Sequence, residues 1–244
     1  MTNIFKTKRI KTGFTLLELL IVIAIIAILS VIIIFILNPA ETLKKSRDTQ
    51  RMSDLAALRS AIAVYVTTIK DPDLGGGINY FCLSDPQNNS AKIAYSVELA
   101  DISSCTNNVA EGDDVTSFSS FSSSDFCRYG GLTGASLVDG TGWVPVDLAE
   151  IKGGSPISNL PLDPINAIST SNAPDYSDLV YRYACQNETT GGRPAYVFEL
   201  DAVLESSSYG PDGDDDKSTK DGGDNDRYYE IGSSLRLIGD GGNF

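Results

Sequence analysis

The chain has 244 residues, 42% of them hydrophobic, and its 32 acidic against 19 basic side chains give a formal charge of −13. It has no histidine, which excludes the usual serine or cysteine triad and disfavours catalytic zinc and enzymatic function generally. Because affinity for phosphate comes from basic side chains, we expect no direct binding of nucleic acid.

The first 13 residues form a basic leader without a single acid. Its removal would take the remaining chain from −13 to −17, because it holds four bases: Lys6, Lys8, Arg9 and Lys11. Positive charge before an apolar segment favours the cytoplasmic side of a membrane. We therefore predict a cytoplasmic N-terminus, with the rest of the chain outside.

An apolar run follows the leader and extends from Phe14 to Leu37, with three polar interruptions at Thr15, Glu18 and Ser30. As a helix its 24 residues are about 36 Å long, enough to span a bilayer. It is too long for a removable secretory signal, and no A-x-A site closes it. A plain signal anchor would explain its length and flanking bases, but not Glu18 or the Gly–Phe junction.

The segment GFTLLELLIV, residues 13–22, resembles the class III signal of type IV prepilins and type II secretion pseudopilins. The resemblance implies that a membrane aspartyl protease, the prepilin peptidase, cuts after Gly13 on the cytoplasmic face. It also implies that Phe14 becomes the N-methylated mature N-terminus, and that Glu18 is the family's acid at the fifth mature position. The resemblance is close over residues 5–70, whereas the remainder resembles the family only in its general character.

Glu18 is costly in a membrane unless it has a partner. Phe14 and Glu18 are four residues apart, so a continuous helix would place them on one face. The Glu18 carboxylate could pair with the new Phe14 amine of a neighbouring subunit and set the register of assembly. A simpler alternative is that Glu18 only favours the start of an interfacial helix.

The sequence after the apolar run predicts a break and a second helix. Asn38 suits an N-cap, Pro39 the first helical position, and Glu41 the third position of a capping box. Polar side chains including Asp48 and Arg51 lie on the predicted outer face. The opposite, inner face is an apolar stripe of Leu55, Leu58, Ile62, Tyr65 and Ile69.

The remaining chain predicts a β-rich head. Alternating patterns occur in residues 175–185, 196–201 and 228–238, which favours antiparallel strands with one face solvated and the other packed on the amphipathic helix. The predicted fold is α+β, a pilin-like long helix against an antiparallel sheet. Its parts are a leader (1–13), a membrane or filament-core helix (14–38, kinked near Pro39), an amphipathic helix (39–70) and the head (71–244).

Four cysteines follow the apolar run: Cys82, Cys105, Cys127 and Cys185. Their even number and wide spacing predict two disulfides on the oxidising side of a membrane, with free buried thiols as the alternative. Three pairings are open, and we favour the sequential one, Cys82–Cys105 and Cys127–Cys185.

An acidic, glycine-rich loop occupies residues 209–226. Aspartates spaced in this way can hold calcium through their oxygens, although the loop fails as an EF-hand, with Lys217 where glycine is needed. Major pseudopilins have a calcium site in a loop before the last strand, so the resemblance also implies a calcium site here. The candidate ligands are Asp212, Asp214, Asp221, Asp224 and Asp226, and a solvated loop without metal is the alternative.

The sequence therefore predicts a filament subunit rather than an enzyme. Its partners would be copies of itself, the prepilin peptidase and N-methylase, and a pilus or secretion assembly machine. It would sit in the inner membrane before assembly and in an extracellular filament afterwards. Alternatives, in order, are a secretion pseudopilin, a minor pilin for adhesion or DNA uptake, and a plain signal-anchored domain.

Overall fold

The computed structural model describes residues 13–76, 82, 90–91, 93–97, 109–110, 134–168, 177–189 and 194–238. The chain divides into two compact units, Met1–Leu43 and Lys44–Phe244. We call the second the head unit. Two long helices precede an antiparallel sheet, so the predicted α+β class is confirmed.

Helix α1 spans Leu16–Leu37, and helix α2 spans Pro39–Thr68. Between them Asn38 has φ of 38°, in the left-handed region that often ends a helix. Its Oδ1 accepts a hydrogen bond from the Glu41 N–H (3.4 Å), which confirms it as the N-cap of α2. Pro39 fits the first helical position because no N–H is needed there.

Helix α2 buries one face within the head unit. The apolar stripe is confirmed, and its fully buried members are Leu55, Leu58, Ile62 and Tyr65. Asp48 and Arg51 are also completely buried, so their predicted place on the outer face is wrong. Both positions continue the stripe's three- and four-residue spacing toward the N-terminus. Helical geometry, rather than polarity, therefore decides which residues face the head.

The buried end of α2 is held by an ionic cluster that we call the docking network: Asp48, Arg51, Asp163 and Glu205. Arg51 donates from Nε and Nη2 to the Asp163 carboxylate (2.6 and 2.9 Å) and from Nη1 to Asp48 Oδ1 (2.8 Å). The Asp48 carboxylate also accepts the backbone N–H groups of Glu205 and Ser206 (2.8 Å each). These bonds tie the helix to two loops far along the chain.

Six strands are described: β1 Ser90–Ala91, β2 Ala94–Tyr95, β3 Val109–Ala110, β4 Tyr181–Gln186, β5 Val197–Val203 and β6 Tyr228–Gly232. β1 pairs with β3, and the main sheet has the antiparallel order β2-β4-β5-β6. A short 3-10 helix, Leu148–Glu150, lies between β3 and β4. β4, β5 and β6 overlap the three predicted runs, although β6 ends at Gly232.

Both faces of the main sheet are buried. Tyr183 and Leu200 point to the face that shares an apolar cluster with Leu58 of α2. The other face lies under a second cluster that includes Leu237 and Ile238. The predicted solvated face is therefore wrong, because the chain after β6 returns over β5 and covers it. The polar side chains on that face are buried: Arg182, Glu199, Asp201 and Glu230.

A disulfide joins Cys82 to Cys185 across 103 residues, so the favoured sequential pairing is wrong. The chain after α2 is held against the end of β4, because Tyr183 Oη donates to the Leu74 carbonyl and the Leu74 N–H donates to Asn187 Oδ1 (3.0 Å each). Leu74 thus lies beside Cys185, whose Sγ is 3.6 Å from the Leu74 carbonyl oxygen, and both cysteines belong to the apolar cluster on the α2 side of the sheet. Cys105 and Cys127 lie outside the described residues.

Candidate functional site

The start of α1 holds the predicted processing and assembly residues. Gly13, Phe14 and Thr15 precede the helix without regular structure, and Phe14 is 77% exposed. Among the described residues other than its chain neighbour, no atom lies within 4 Å of where a Gly13 side chain would begin. The described part of the chain therefore leaves the Gly13–Phe14 bond sterically open.

Thr15 caps α1. Its backbone is extended, and its Oγ1 accepts a hydrogen bond from the Glu18 N–H (3.2 Å). Phe14 therefore lies before the helix in the uncut chain and does not share a helix face with Glu18 there. That the two residues share a face after cleavage stays a prediction. A residue that caps a helix leaves the helical backbone conformation, and the residue before it cannot belong to the helix. Glu18 is the third residue of α1, where the helix dipole favours a carboxylate.

The surface of α1 is apolar and exposed. An 18-residue window, Leu16–Ile33, has a mean hydropathy of 3.2, which makes α1 long and apolar enough to cross a membrane. None of that window is buried within the chain. Ser30 satisfies its own hydroxyl by donating to the Ile26 carbonyl (2.8 Å). Glu18 is therefore the one charged group on this helix.

The acidic loop divides into exposed and anchored parts. Asp212, Asp214 and Asp226 are exposed. Asp221 accepts hydrogen bonds from the N–H groups of Gly223 (2.9 Å) and Glu230 (2.7 Å), which fix the loop to the start of β6. Within the described part of the chain, none of the five predicted ligands belongs to a set of three or more acids with converging oxygens. The five-aspartate calcium site stays a prediction.

Three other acids converge under the second apolar cluster. Glu199 and Asp201 on β5 and Glu230 on β6 each place a carboxylate oxygen within 4.8 Å of the other two. We call this trio the carboxylate cluster. Sequence reasoning missed it because acids that alternate with apolar residues on a strand are typical of a solvated face. Two features of the sequence could have revealed the cluster. Glu199 and Asp201 alternate on one predicted strand and the next predicted strand carries another acid, Glu230; the apolar pair Leu237 and Ile238 then follows and can cover that face.

Burial dominates the protonation of this cluster. Desolvation, together with neighbouring negative charge, raises the pKa of Glu199 and of Asp201 well above the ordinary range. Desolvation also raises the pKa of Glu230 to about 7. The Glu199 and Glu230 carboxyls lie close enough to share a hydrogen bond, which exists only when one of them holds a proton.

Comparison with known proteins identifies the N-terminal segment. Residues 8–34 match a family model described as the prokaryotic N-terminal methylation motif. No curated protein and no solved structure matches the chain. The chain thus carries the prepilin-type signal of type IV pilins and pseudopilins. This supports a pilin- or pseudopilin-like substrate of prepilin peptidase, a structural protein rather than an enzyme. One apolar helix behind that signal fits a membrane-anchored precursor of a surface filament.

Proposed function

We propose that this chain is the structural subunit of an extracellular type IV pilus-like filament. Prepilin peptidase cuts it after Gly13, Phe14 is N-methylated, and the mature chain polymerises through α1. One observation carries the proposal: a 22-residue apolar helix is exposed over its described surface and has a single carboxylate in its first turn, just behind the motif's Gly–Phe bond.

Cleavage creates the partner that Glu18 needs. Before the cut, residue 14 is joined to a basic leader and has no free amine, and the dipole of α1 favours the Glu18 carboxylate. After the cut, each subunit carries a cationic amine at Phe14. Because Phe14 precedes the helix cap in the uncut chain, the amine need not stay on the Glu18 face of its own helix. It can reach the Glu18 of a neighbour instead.

The apolar surface of α1 supports two successive environments. As a single span it is compatible with lipid on all sides. In a filament the same side chains would pack against the α1 helices of other subunits, with lipid and water excluded. A carboxylate in that interior is stable only beside a cation, so the Glu18–amine pair favours one register over its neighbours.

N-terminal mass spectrometry of the mature chain tests the processing step. The expected N-terminus is methylated Phe14, with residues 1–13 absent. An intact Met1, or a cut near Ala40, would exclude the pilin interpretation. Methylated chain without filaments on the cell surface, as seen by electron microscopy, would favour a secretion pseudopilin instead.

Glu18→Gln tests the register step, and Glu41→Gln is its matched control. Each acid is the third residue of a helix and donates its N–H to a capping side chain. We expect Glu18→Gln to be cut and methylated normally but to reduce filament yield at least tenfold, whereas Glu41→Gln assembles. Normal filaments from Glu18→Gln would refute the pairing of Glu18 with the amine.

A further inference from the structure

The second face of the main sheet carries a row of polar residues that crosses adjacent strands. Tyr95 is paired with Arg182, Arg182 with Asp201, and Asp201 with Glu230. Glu199 lies two residues from Asp201 on the same face. The three acids of the carboxylate cluster are at most 2% exposed, so water cannot hydrate their charges.

Two of the acids are held by backbone donors. Glu199 Oε2 accepts the N–H groups of Leu237 and Ile238, and Glu230 Oε2 accepts the N–H of Asn225 (3.0 Å). Neither oxygen of Asp201 accepts a hydrogen bond from any described residue, and Oε1 of Glu199 and of Glu230 has no donor unless the pair holds a proton. A fully buried carboxylate without a donor is rare in native proteins and calls for a proton or an ion.

Among the described residues, the charge within this volume does not balance. Arg182 is the cation in the row, and its guanidinium lies 4.5 Å from the centre of the Tyr228 ring while Nη1 donates to the Val180 carbonyl (3.1 Å). One guanidinium against three ionised carboxylates leaves two uncompensated negative charges. Asp221 and Asp224, at the end of the acidic loop, add further negative potential. Two protons or one divalent cation would neutralise the cluster.

We propose that Glu199, Asp201 and Glu230 bind a divalent cation, with calcium as the preferred ion. All three ligands offer hard carboxylate oxygens, which suit calcium and disfavour zinc. Two oxygens on opposite sides of a calcium ion are about 4.8 Å apart, given calcium–oxygen distances of about 2.4 Å, and the three oxygens fall within that span. The ligands lie on two strands of the sheet, unlike the five loop aspartates predicted above.

Cation binding at this position would fix the acidic loop. Asn225 donates its N–H to Glu230, and the Glu230 N–H donates to Asp221. An ion held by Glu230 and β5 therefore joins the last strand, the end of the loop and the sheet face into one unit. This site is independent of α1 and of the filament proposal.

The test is calcium binding by the purified full chain in detergent. After removal of metal with EDTA at pH 7.5, calcium chloride is titrated while thermal unfolding is followed. At about a hundredfold excess over Kd we expect Tm to rise by about 5–10 °C. Elemental analysis of chain purified without chelator should give one calcium per chain. Magnesium chloride, as a second arm, should give a smaller shift because magnesium demands a tighter octahedral site.

Two double variants locate the ion. Glu199→Gln/Glu230→Gln is expected to lose the calcium shift, and because each amide imitates a protonated carboxyl, this variant should still fold. Asp212→Asn/Asp214→Asn removes the same charge from the exposed loop and should keep the shift. The opposite pattern would refute this assignment in favour of a loop site. No shift of the wild type at millimolar calcium, with stability gained only on acidification, would overturn the proposal in favour of proton sharing.

Discussion

The head unit buries two groups of charged side chains, and they differ in how completely their carboxylate oxygens receive hydrogen bonds. In the docking network, Arg51 donates to Asp48 and Asp163, and its Nη1 also lies 2.7 Å from Glu205. In the carboxylate cluster, neither oxygen of Asp201 receives a donor from the described residues. The carboxylates of the docking network already have donors within the chain. Those of the carboxylate cluster still need protons or a bound cation.

This difference predicts opposite responses to pH. Hydrogen bonds from Arg47 and then from Arg51 lower the pKa of Glu205, so the docking network loses stability when acid protonates that carboxylate. Burial raises the pKa of Glu230 to about 7, so the carboxylate cluster without a cation loses stability as pH rises. The effect of a buried charge on the stability of the folded chain therefore depends on whether its partners are already present.

The largest expected effect is from breaking the docking network. Arg51→Met leaves Asp48 and Asp163 buried with no cation, and removing one partner of a buried ion pair costs about 3–5 kcal/mol. We expect the free energy of unfolding, measured by denaturant titration of the full chain in detergent at pH 7, to fall by that amount.

Arg47→Met is the matched control for Arg51→Met. The Arg47 side chain is 31% exposed and pairs with Glu205 (2.6 Å), so solvent can replace much of what it loses. Its substitution should destabilise the head unit far less. Equal losses from the two variants would contradict the view that burial of Arg51 sets the size of the effect.

The next effect concerns the carboxylate cluster in the presence of EDTA, which removes any bound cation. A raised folded-state pKa means that the native chain holds a proton which the unfolded chain has released, so stability present below about pH 4.5 is lost up to about pH 7. For Glu230 that loss is on the order of 2–3 kcal/mol. Glu230→Gln should lack this decline, as measured by unfolding free energies at pH 5, 6 and 7.

A control substitution next to β6 sharpens the Glu230 result. Arg227→Gln alters an exposed charge just before β6 and should keep the decline with pH. A Glu230→Gln profile that still falls as steeply as wild type from pH 5 to 7 would show that other groups carry the proton linkage.

The sequence was most informative where spacing alone decides the structure. The stripe from Leu55 to Tyr65 and the cap at Asn38 follow from helical periodicity and from the hydrogen bonds that a helix end needs. The same periodicity also includes Asp48 and Arg51, and only their polarity led to the opposite assignment. Their partners lie more than 100 residues away, where no local pattern reveals them: the Asp163 carboxylate accepts from Arg51, and the N–H groups of Glu205 and Ser206 donate to Asp48.

Of the two candidate sites, the N-terminal signal was predictable from the sequence, whereas the carboxylate cluster in the head unit was not. The order of basic leader, glycine, phenylalanine, acid and apolar run is local, so residues 8–34 were identifiable as a signal. The carboxylate cluster depends on which strand lies beside β5 and on what covers the second face. An alternating strand has the same sequence whether its polar side meets water or buried partners. The Cys82–Cys185 pairing likewise required the tertiary position of β4.

The smallest expected effect distinguishes the two groups by the direction of their pH response. Glu205 lies at the edge of the docking network, with an 11% exposed side chain, so Glu205→Gln should cost about 1 kcal/mol at pH 7. Because its folded-state pKa is lowered, its contribution is present above about pH 4.5 and disappears on acidification. The difference between wild type and Glu205→Gln should therefore shrink as pH falls toward 3, measured by denaturant titration at each pH. A difference that grows on acidification would mean that Glu205 is not held as a carboxylate by the two arginines.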